Sequence, residues 1–443
     1  MKRVGNLWPQ VMERANLLTA FHRAARGKRG KAEVRAFAKN LDGNLDRLRQ
    51  ECMDLSFPTG IFHVFQVYDP KERTIHAARF PERVFHHALM NLCEPVLEKQ
   101  AVFHSYACRK EKGRLKAIAA AENAARANAY YLKLDIRKYF ESISHDILVG
   151  RLQRVFKDPL VLHWLEKIIR GHRHNSRKGL PIGSLTSQHL ANFYLNVLDR
   201  FCQEYPTVRA YVRYMDDFVC WGNDRHELQQ MGKAVETFLS TRLELQLKHP
   251  PCIQPTSRGM DYLGYRIFPH HTALNRRSKV HYAKRLRLLE ELHSQGRLES
   301  LPLQQRLTAI TAFVLPVRSH YFRRQVMTRL WSEAIGHEPG EPGRQLEQQR
   351  EQLPRRKPQQ QHPVKHEQQQ RLSCGPQLRP QGMDFPTLSM GLNRPRSCSS
   401  SYSGDDKMPH EPSGASSPAD AGSNALDGFL TLPLLILVLS QTL

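Results

Sequence analysis

Tyr211-Val212-Arg213-Tyr214-Met215-Asp216-Asp217-Phe218-Val219-Cys220-Trp221 sets two adjacent carboxylates between two runs of aromatic and β-branched residues. Such runs form strands, so the acidic pair is expected at the tip of a β-hairpin. Like charges this close raise each other's pKa unless a cation lies between them, and a divalent metal ion is the simplest such cation. Taken alone, an Asp-Asp pair also suits an ordinary turn, where Asp hydrogen-bonds its own backbone.

A second acidic position changes that balance. Tyr131-Leu132-Lys133-Leu134-Asp135-Ile136 alternates with period two, putting Leu132, Leu134 and Ile136 on one face and Lys133 and Asp135 on the other. Asp135 can therefore face a site while its neighbours face a core. Residues 135 and 216 are roughly eighty positions apart and can meet only through the fold. Three carboxylates on adjacent strands can hold two magnesium ions roughly 3.5–4 Å apart, an arrangement suited to in-line phosphoryl transfer. Oxygen ligands favour Mg²⁺ over softer metals.

Four motifs occur in order: LKLDIRKYF at 132–140, GLPIGSLTSQ at 179–188, YMDD at 214–217 and DYLGY at 261–265. Together they resemble those of reverse transcriptases, over roughly residues 15 to 335. The resemblance implies an α/β (α+β) right-hand fold of fingers, a palm built on an antiparallel sheet, and a helical thumb. It implies RNA-directed DNA synthesis from an RNA template and a DNA or RNA primer, with dNTPs as substrates and two Mg²⁺ ions as cofactors. Asp135, Asp216 and Asp217 would be catalytic and, with Ile136, would hold the metal. Phe140, five residues beyond Asp135, stands where the family places an aromatic gate against the ribose 2′-hydroxyl; its plainer reading is a core aromatic beside Tyr139. Lys71 and Arg73 resemble the fingers residues that hold the triphosphate, a task suited to basic side chains, although cations near a turn also serve as solvated surface. Lys248 resembles the lysine placed to protonate pyrophosphate.

The second motif departs from the commoner QGxxxSP pattern, reading Ile182-Gly183-Ser184-Leu185-Thr186-Ser187-Gln188. This form resembles the enzymes of diversity-generating retroelements, which copy an RNA with frequent errors opposite adenine and work with a small accessory protein. Gly183 would let the backbone approach the nucleotide or template closely. Ile182 cannot hydrogen-bond the substrate as an amide can, which would loosen the fit of the nascent pair; alternatively it only packs the palm. Gln188 replaces the usual proline. Two alternatives stand beside this reading: a group II intron-like or stand-alone bacterial reverse transcriptase of ordinary fidelity, and a polymerase-derived RNA-binding protein that no longer synthesises DNA. The intact carboxylates and the aromatic at 140 favour the enzyme.

The remainder of the sequence is consistent with a nucleic-acid partner. Of 443 residues, 66 are Lys or Arg and 42 Asp or Glu, a net charge of +24 that favours a polyanion. The segment His22–Lys31, with Gly27 and Gly30, reads as a mobile basic arm. Arg276, Arg277, Lys279, Lys284, Arg285 and Arg287 surround an apolar stripe of Tyr282, Leu286, Leu289 and Leu292, as on a helix lining a duplex. Leu190, Phe193, Tyr194, Val197, Leu198 and Phe201 predict an amphipathic helix beginning near Ser187. His86 and His87 fall in an apolar helical stretch and serve packing and capping.

The expected divisions are a basic extension over 1–60, fingers and palm over 61–270, thumb over 271–336, and over 337–443 a tail rich in Gln, Pro, Arg and Ser that cannot offset its ordering entropy. Within that tail, Phe429–Leu439 is apolar but too short for a confident membrane span. The eight cysteines show no CxxC and are read as reduced and structural. No secretory signal stands at the N-terminus, so a cytoplasmic location without membrane attachment is expected.

Overall fold

A computed structural model describes residues 2–68, 72–171 and 177–335. Contacts divide the chain at Trp331, and every element of the site lies in the unit that begins at Met1. Four helices come first: α1 (Trp8–Val11), α2 (Arg14–Ala25), α3 (Ala32–Lys39) and α4 (Leu41–Met53). The hairpin β1 (Phe62–Val67) and β2 (Arg73–Ala78) follows, then α5 (Phe80–Glu98), α6 (Arg114–Ala127), β3 (Tyr130–Asp135), α7 (Tyr139–Ser142), α8 (His145–Gln153), α9 (Pro159–Gly171) and α10 (Leu185–Glu204). Next come β4 (Ala210–Tyr214), β5 (Asp217–Gly222), α11 (Arg225–Leu243), β6 (Ile253–Pro255), β7 (Met260–Tyr262), β8 (Tyr265–Ile267) and β9 (Thr272–Leu274). The helices α12 (Arg276–Ser294), α13 (Ser300–Val314) and α14 (His320–Ile335) complete the set.

The sheet order explains the sequence patterns. The four-stranded sheet runs β4-β5-β3-β6, all antiparallel. β5 is interior to the sheet, and Phe218–Trp221 are wholly buried, so its sequence is continuously apolar. On β3, Leu132 and Leu134 are buried while Lys133 and Asp135 stay half-exposed, as the alternation predicts. α10 packs on β4, and α11 packs on β3 and β5. Leu190, Tyr194 and Leu198 are fully buried on α10, which begins at Leu185, within two residues of the expected start.

Side-chain caps fix the starts of the two helices that flank the later strands. The Asp224 carboxylate accepts from the Glu227 backbone N–H (2.8 Å) at the head of α11, and Asn275 accepts from Ser278 (2.8 Å) at the head of α12.

The expected basic extension behaves differently from its reading. His22–Ala25 belong to the last turn of α2, and only residues 26–31 form the connection to α3. Phe21 stacks on Phe37 and meets Phe80 edge-on, while Leu45, Leu48 and Cys52 of α4 are buried in the same core. The glycines of this basic stretch mark a turn between packed helices; the apolar stripe of α2 outweighs them. The tail beyond residue 335, including the apolar run Phe429–Leu439, lies outside the described residues. Among the described residues, no helix is long and apolar enough to cross a membrane.

Candidate active site

The hairpin tip forms as its composition requires. Tyr214 and Asp217 are the last paired positions of β4 and β5, leaving Met215 and Asp216 as the connection. Met215 adopts a left-handed conformation (φ 60), which bends the chain tightly enough to put Asp216 at the tip. On the other side of β5, Asp217 pairs directly with Asp135 of β3. The two acidic positions of the sequence thus become cross-strand neighbours.

Cations surround them. Residues 246–248 zip onto the end of β3: Arg137 N–H donates to the Gln246 carbonyl, Ile136 bridges Leu247, and Lys248 N–H donates to the Asp135 carbonyl (2.9 Å for both hydrogen bonds). This strap delivers the Lys248 Nζ to within 2.6 Å of Asp135 Oδ2. That hydrogen bond raises the Lys248 pKa, with further help from the field of Asp135, Asp216 and Asp217. Lys133 Nζ stands 3.3 Å from Asp217 Oδ2 and also donates to the Asp261 carbonyl (2.9 Å). Tyr262 Oη reaches the Asp217 carbonyl at 3.4 Å. The sheet β7-β8-β9 is therefore tied to the acidic site.

The carboxylates themselves are under electrostatic pressure. Burial pushes the Asp217 carboxyl up to about 6; Lys133 opposes the rise, and Asp135 and Asp216 add to it. Asp216 is also raised, by burial first and then by Asp135, against a hydrogen bond from its own backbone and the fields of Arg73 and Lys248. Asp217 Oδ1 is buried with no hydrogen-bond partner. Among the described residues no three His, Cys, Asp or Glu side chains gather at metal-holding distance, and the lysines pair with Asp135 and Asp217 instead. The donor chemistry nevertheless fits a hard divalent cation, because an orphaned carboxylate oxygen and mutually repelling carboxylates are both relieved by one.

The other sequence-derived positions fall around this centre unevenly. Arg73 opens β2, pairs with Val67 and is exposed, near enough for its field to reach Asp216. Lys71 lies outside the described residues. Phe140 is half-buried on the one-turn α7, its ring edge-on to Tyr139 at 5.6 Å, and its carbonyl accepts from Leu180 N–H (2.8 Å), which joins the first and second motifs. Ile182 is half-buried, and its carbonyl accepts from His76 N–H of β2 (2.9 Å). Gly183 has φ 107, and a Cβ there would lie 2.7 Å from Ile75 Cγ2. Gly183 therefore lies close against β2 in this structure. Gln188 sits half-buried in the first turn of α10.

Two features escaped the sequence reading. Lys133 was legible as a neighbour of Asp135 on the same strand face, but its pairing with Asp217 depends on strand order. Arg213 and Asp199 form a fully buried ion pair behind the hairpin, with nothing in their local sequence to distinguish them from surface charges.

Residues 70–267 match the family model described as reverse transcriptase (RNA-dependent DNA polymerase). The chain is 23% identical over 273 residues to a COX1/OXI3 intron 1 protein of Saccharomyces cerevisiae, covering 58% of this chain and 32% of that protein. It is 22% identical over 150 residues to the group II intron-encoded protein LtrA of Lactococcus lactis, covering 32% and 25%. It is 22% identical over 250 residues to protein YkfC of Escherichia coli, covering 46% and 66%. The matched part spans a third or less of the intron proteins' length.

Proposed function

Residues 70–267 of this chain belong to the reverse transcriptase family, and on that footing we propose that the protein is an RNA-directed DNA polymerase, a nucleotidyltransferase acting on an RNA template, a primer and dNTPs. The observation that carries this reading is the pairing of Asp135 with Asp217 across two strands, with Asp216 on the adjoining turn and lysines against the outer pair. We assign β1–β2 to the fingers, the four-stranded sheet to the palm and α12–α14 to the thumb.

Asp135, Asp216 and Asp217, with the Ile136 main chain beside them, are the groups that would hold magnesium. When bound, the two ions would lower the pKa of the primer 3′-hydroxyl and steady the leaving pyrophosphate. The chain's own part is to position and to neutralise. Raised carboxyl pKa values at Asp216 and Asp217 describe a site that gains from any cation placed against it. Lys248, displaced from Asp135, is an ammonium within reach of the same centre and suits protonation of pyrophosphate. Arg73, with Lys71, suits the triphosphate. Phe140, Ile182, Gly183 and Gln188 would contact the incoming nucleotide and the template. The reaction is assigned to the cytoplasm, where the buried thiols of Cys52, Cys93, Cys202 and Cys220 remain reduced.

Two finer readings have separate support. Ile182 and Gln188 in the second motif favour error-prone copying of the diversity-generating type, together with an accessory protein. The intron-encoded relatives favour a group II-like enzyme of ordinary fidelity. Primer extension on a defined RNA template with Mg²⁺, comparing wild type with Asp216→Asn and sequencing the cDNA, decides among them. Synthesis is expected in wild type and lost in the variant. Errors concentrated opposite adenine select the first reading, and an even error spectrum the second. A wild-type protein that binds primer–template but makes no cDNA, with or without candidate accessory protein, refutes the polymerase assignment and leaves an RNA-binding protein.

A further inference from the structure

The Arg213 guanidinium is completely buried, and each of its five N–H groups has an acceptor. Nε and Nη2 form a fork on Asp199 (2.5 and 2.7 Å), Nη1 donates to Asn192 Oδ1 (3.0 Å) and to the Met215 carbonyl (2.8 Å), and Nη2 also donates to the Asn192 carbonyl (3.4 Å). Tyr211 Oη adds a bond to Asp199 Oδ1 (2.7 Å), and Asn192 is held in turn by the Ala107 carbonyl (2.7 Å). Burial works against the charge, but Asp199 outweighs it and the guanidinium pKa ends raised, so Arg213 is cationic throughout the working range.

One of those acceptors is unlike the rest. The Met215 carbonyl belongs to the peptide that joins the left-handed Met215 to Asp216, and the nitrogen of that same peptide is the backbone nitrogen of Asp216, so its orientation fixes where the Asp216 side chain starts from. A single rigid peptide plane is therefore gripped at its oxygen by Arg213 and meets Asp216 at its nitrogen. A buried ion pair contributes little net stability compared with apolar side chains of the same volume. A guanidinium fork, by contrast, has a fixed geometry that no apolar side chain supplies.

We propose that Arg213, locked by Asp199 and Asn192, is a positioning residue that sets the orientation of the Met215–Asp216 peptide and through it the Asp216 carboxylate. The proposal rests on the reading of Asp216 as catalytic. It acts through the turn and needs no contact between Arg213 and substrate.

The test is the paired replacement Arg213→Met with Asp199→Leu, which removes both charges and keeps the unbranched stem at 213 and the γ-branched shape at 199. The readouts are thermal unfolding, amide hydrogen exchange of residues 214–218 in metal-free protein, primer–template Kd, and kcat. The expected result is a Tm close to wild type, a Kd within about twofold, faster exchange at 215–217, and a kcat lower by about 10–100-fold, the cost of a small misplacement of a reacting group. Wild-type exchange and wild-type kcat in the folded double variant overturn the proposal. Should that variant not fold, Arg213→Lys keeps the charge opposite Asp199 but cannot span to the Met215 carbonyl. It is expected to fold, with the same rise in exchange and fall in kcat, and wild-type behaviour there refutes the assignment. If wild type itself makes no cDNA, the polymerase reading falls, while the exchange measurement still decides whether Arg213 holds the turn.

Discussion

Phe140 and His86 show how differently two side chains near the same site are constrained. Phe140 is only half-buried and meets Tyr139 edge-on, so part of its ring stays open to solvent. Phe140→Ala is expected to raise ribonucleotide incorporation relative to deoxynucleotide by about 10–100-fold, the range a steric misfit of this size commands; single-nucleotide extension with rNTP and dNTP pairs measures it. His86, by contrast, is sealed in α5. Its Nε2 stands 3.5 Å from Glu82 Oε1, which would be an ion pair only if the ring were protonated. Burial holds the His86 pKa down at about 3, and raises that of Glu82, so the ring is neutral and the contact is not a salt bridge. In the unfolded chain the ring titrates near its ordinary value of about 6.5. Between these values the unfolded state takes up a proton that the folded state refuses, so stability falls as pH falls from about 6.5 toward 3. His86→Gln should flatten the pH dependence of urea unfolding between about pH 6 and 4 by up to about 1.4 kcal/mol per pH unit. An unchanged slope would mean the folded protein already accepts that proton.

At the scale of elements, the hairpin β1–β2 meets the loop before α10 through a backbone contact. His76 N–H bonds the Ile182 carbonyl, and Gly183 at φ 107 permits the contact because a Cβ would press on Ile75. Gly183→Ala adds both a strained backbone and a collision at 2.7 Å. A loss of about 1–3 kcal/mol is expected, focused on this junction. Faster amide exchange at 73–78 with little change in α10 would show it, whereas a uniform change across the fold would place the cost elsewhere. This contact was not legible in the sequence, which offered Gly183 only as a point of approach for a nucleotide or template: Ile75 and His76 are more than a hundred residues away, and only the docking of the hairpin brings them there.

Across the whole molecule, one indole links segments far apart in sequence. Trp164 of α9 is fully buried, stacked at 6.3 Å on Trp8 of α1, and edge-on to Phe57 at 6.4 Å and Phe85 of α5 at 4.9 Å. This cluster ties α1 and Phe57 to α5 and α9 in the same core that takes in the apolar side chains of α2, α3 and α4. Trp164→Ala leaves a large void at the junction and is expected to cost about 3–5 kcal/mol. Denaturant unfolding would give the magnitude, and protease sensitivity of α1 and α2 would show where the fold loosens first. A loss below about 1 kcal/mol would mean that the cavity collapses or that the N-terminal helices are held by other contacts.

The sequence alone determined the strands that carry Asp135 and the Asp216-Asp217 pair, the amphipathic helix behind them and the family they resemble, because period-two alternation, turn chemistry and ordered motifs are local properties of the chain. Only the tertiary structure decided what surrounds those carboxylates. Lys133 meets Asp217, Lys248 meets Asp135, and Arg213 with Asp199 clamps the turn from behind. Each of these pairs depends on strand order or helix docking. A lysine or arginine reads the same in sequence whether it faces solvent or a buried carboxylate, and it is the packing that removes the water and gives the charge its partner.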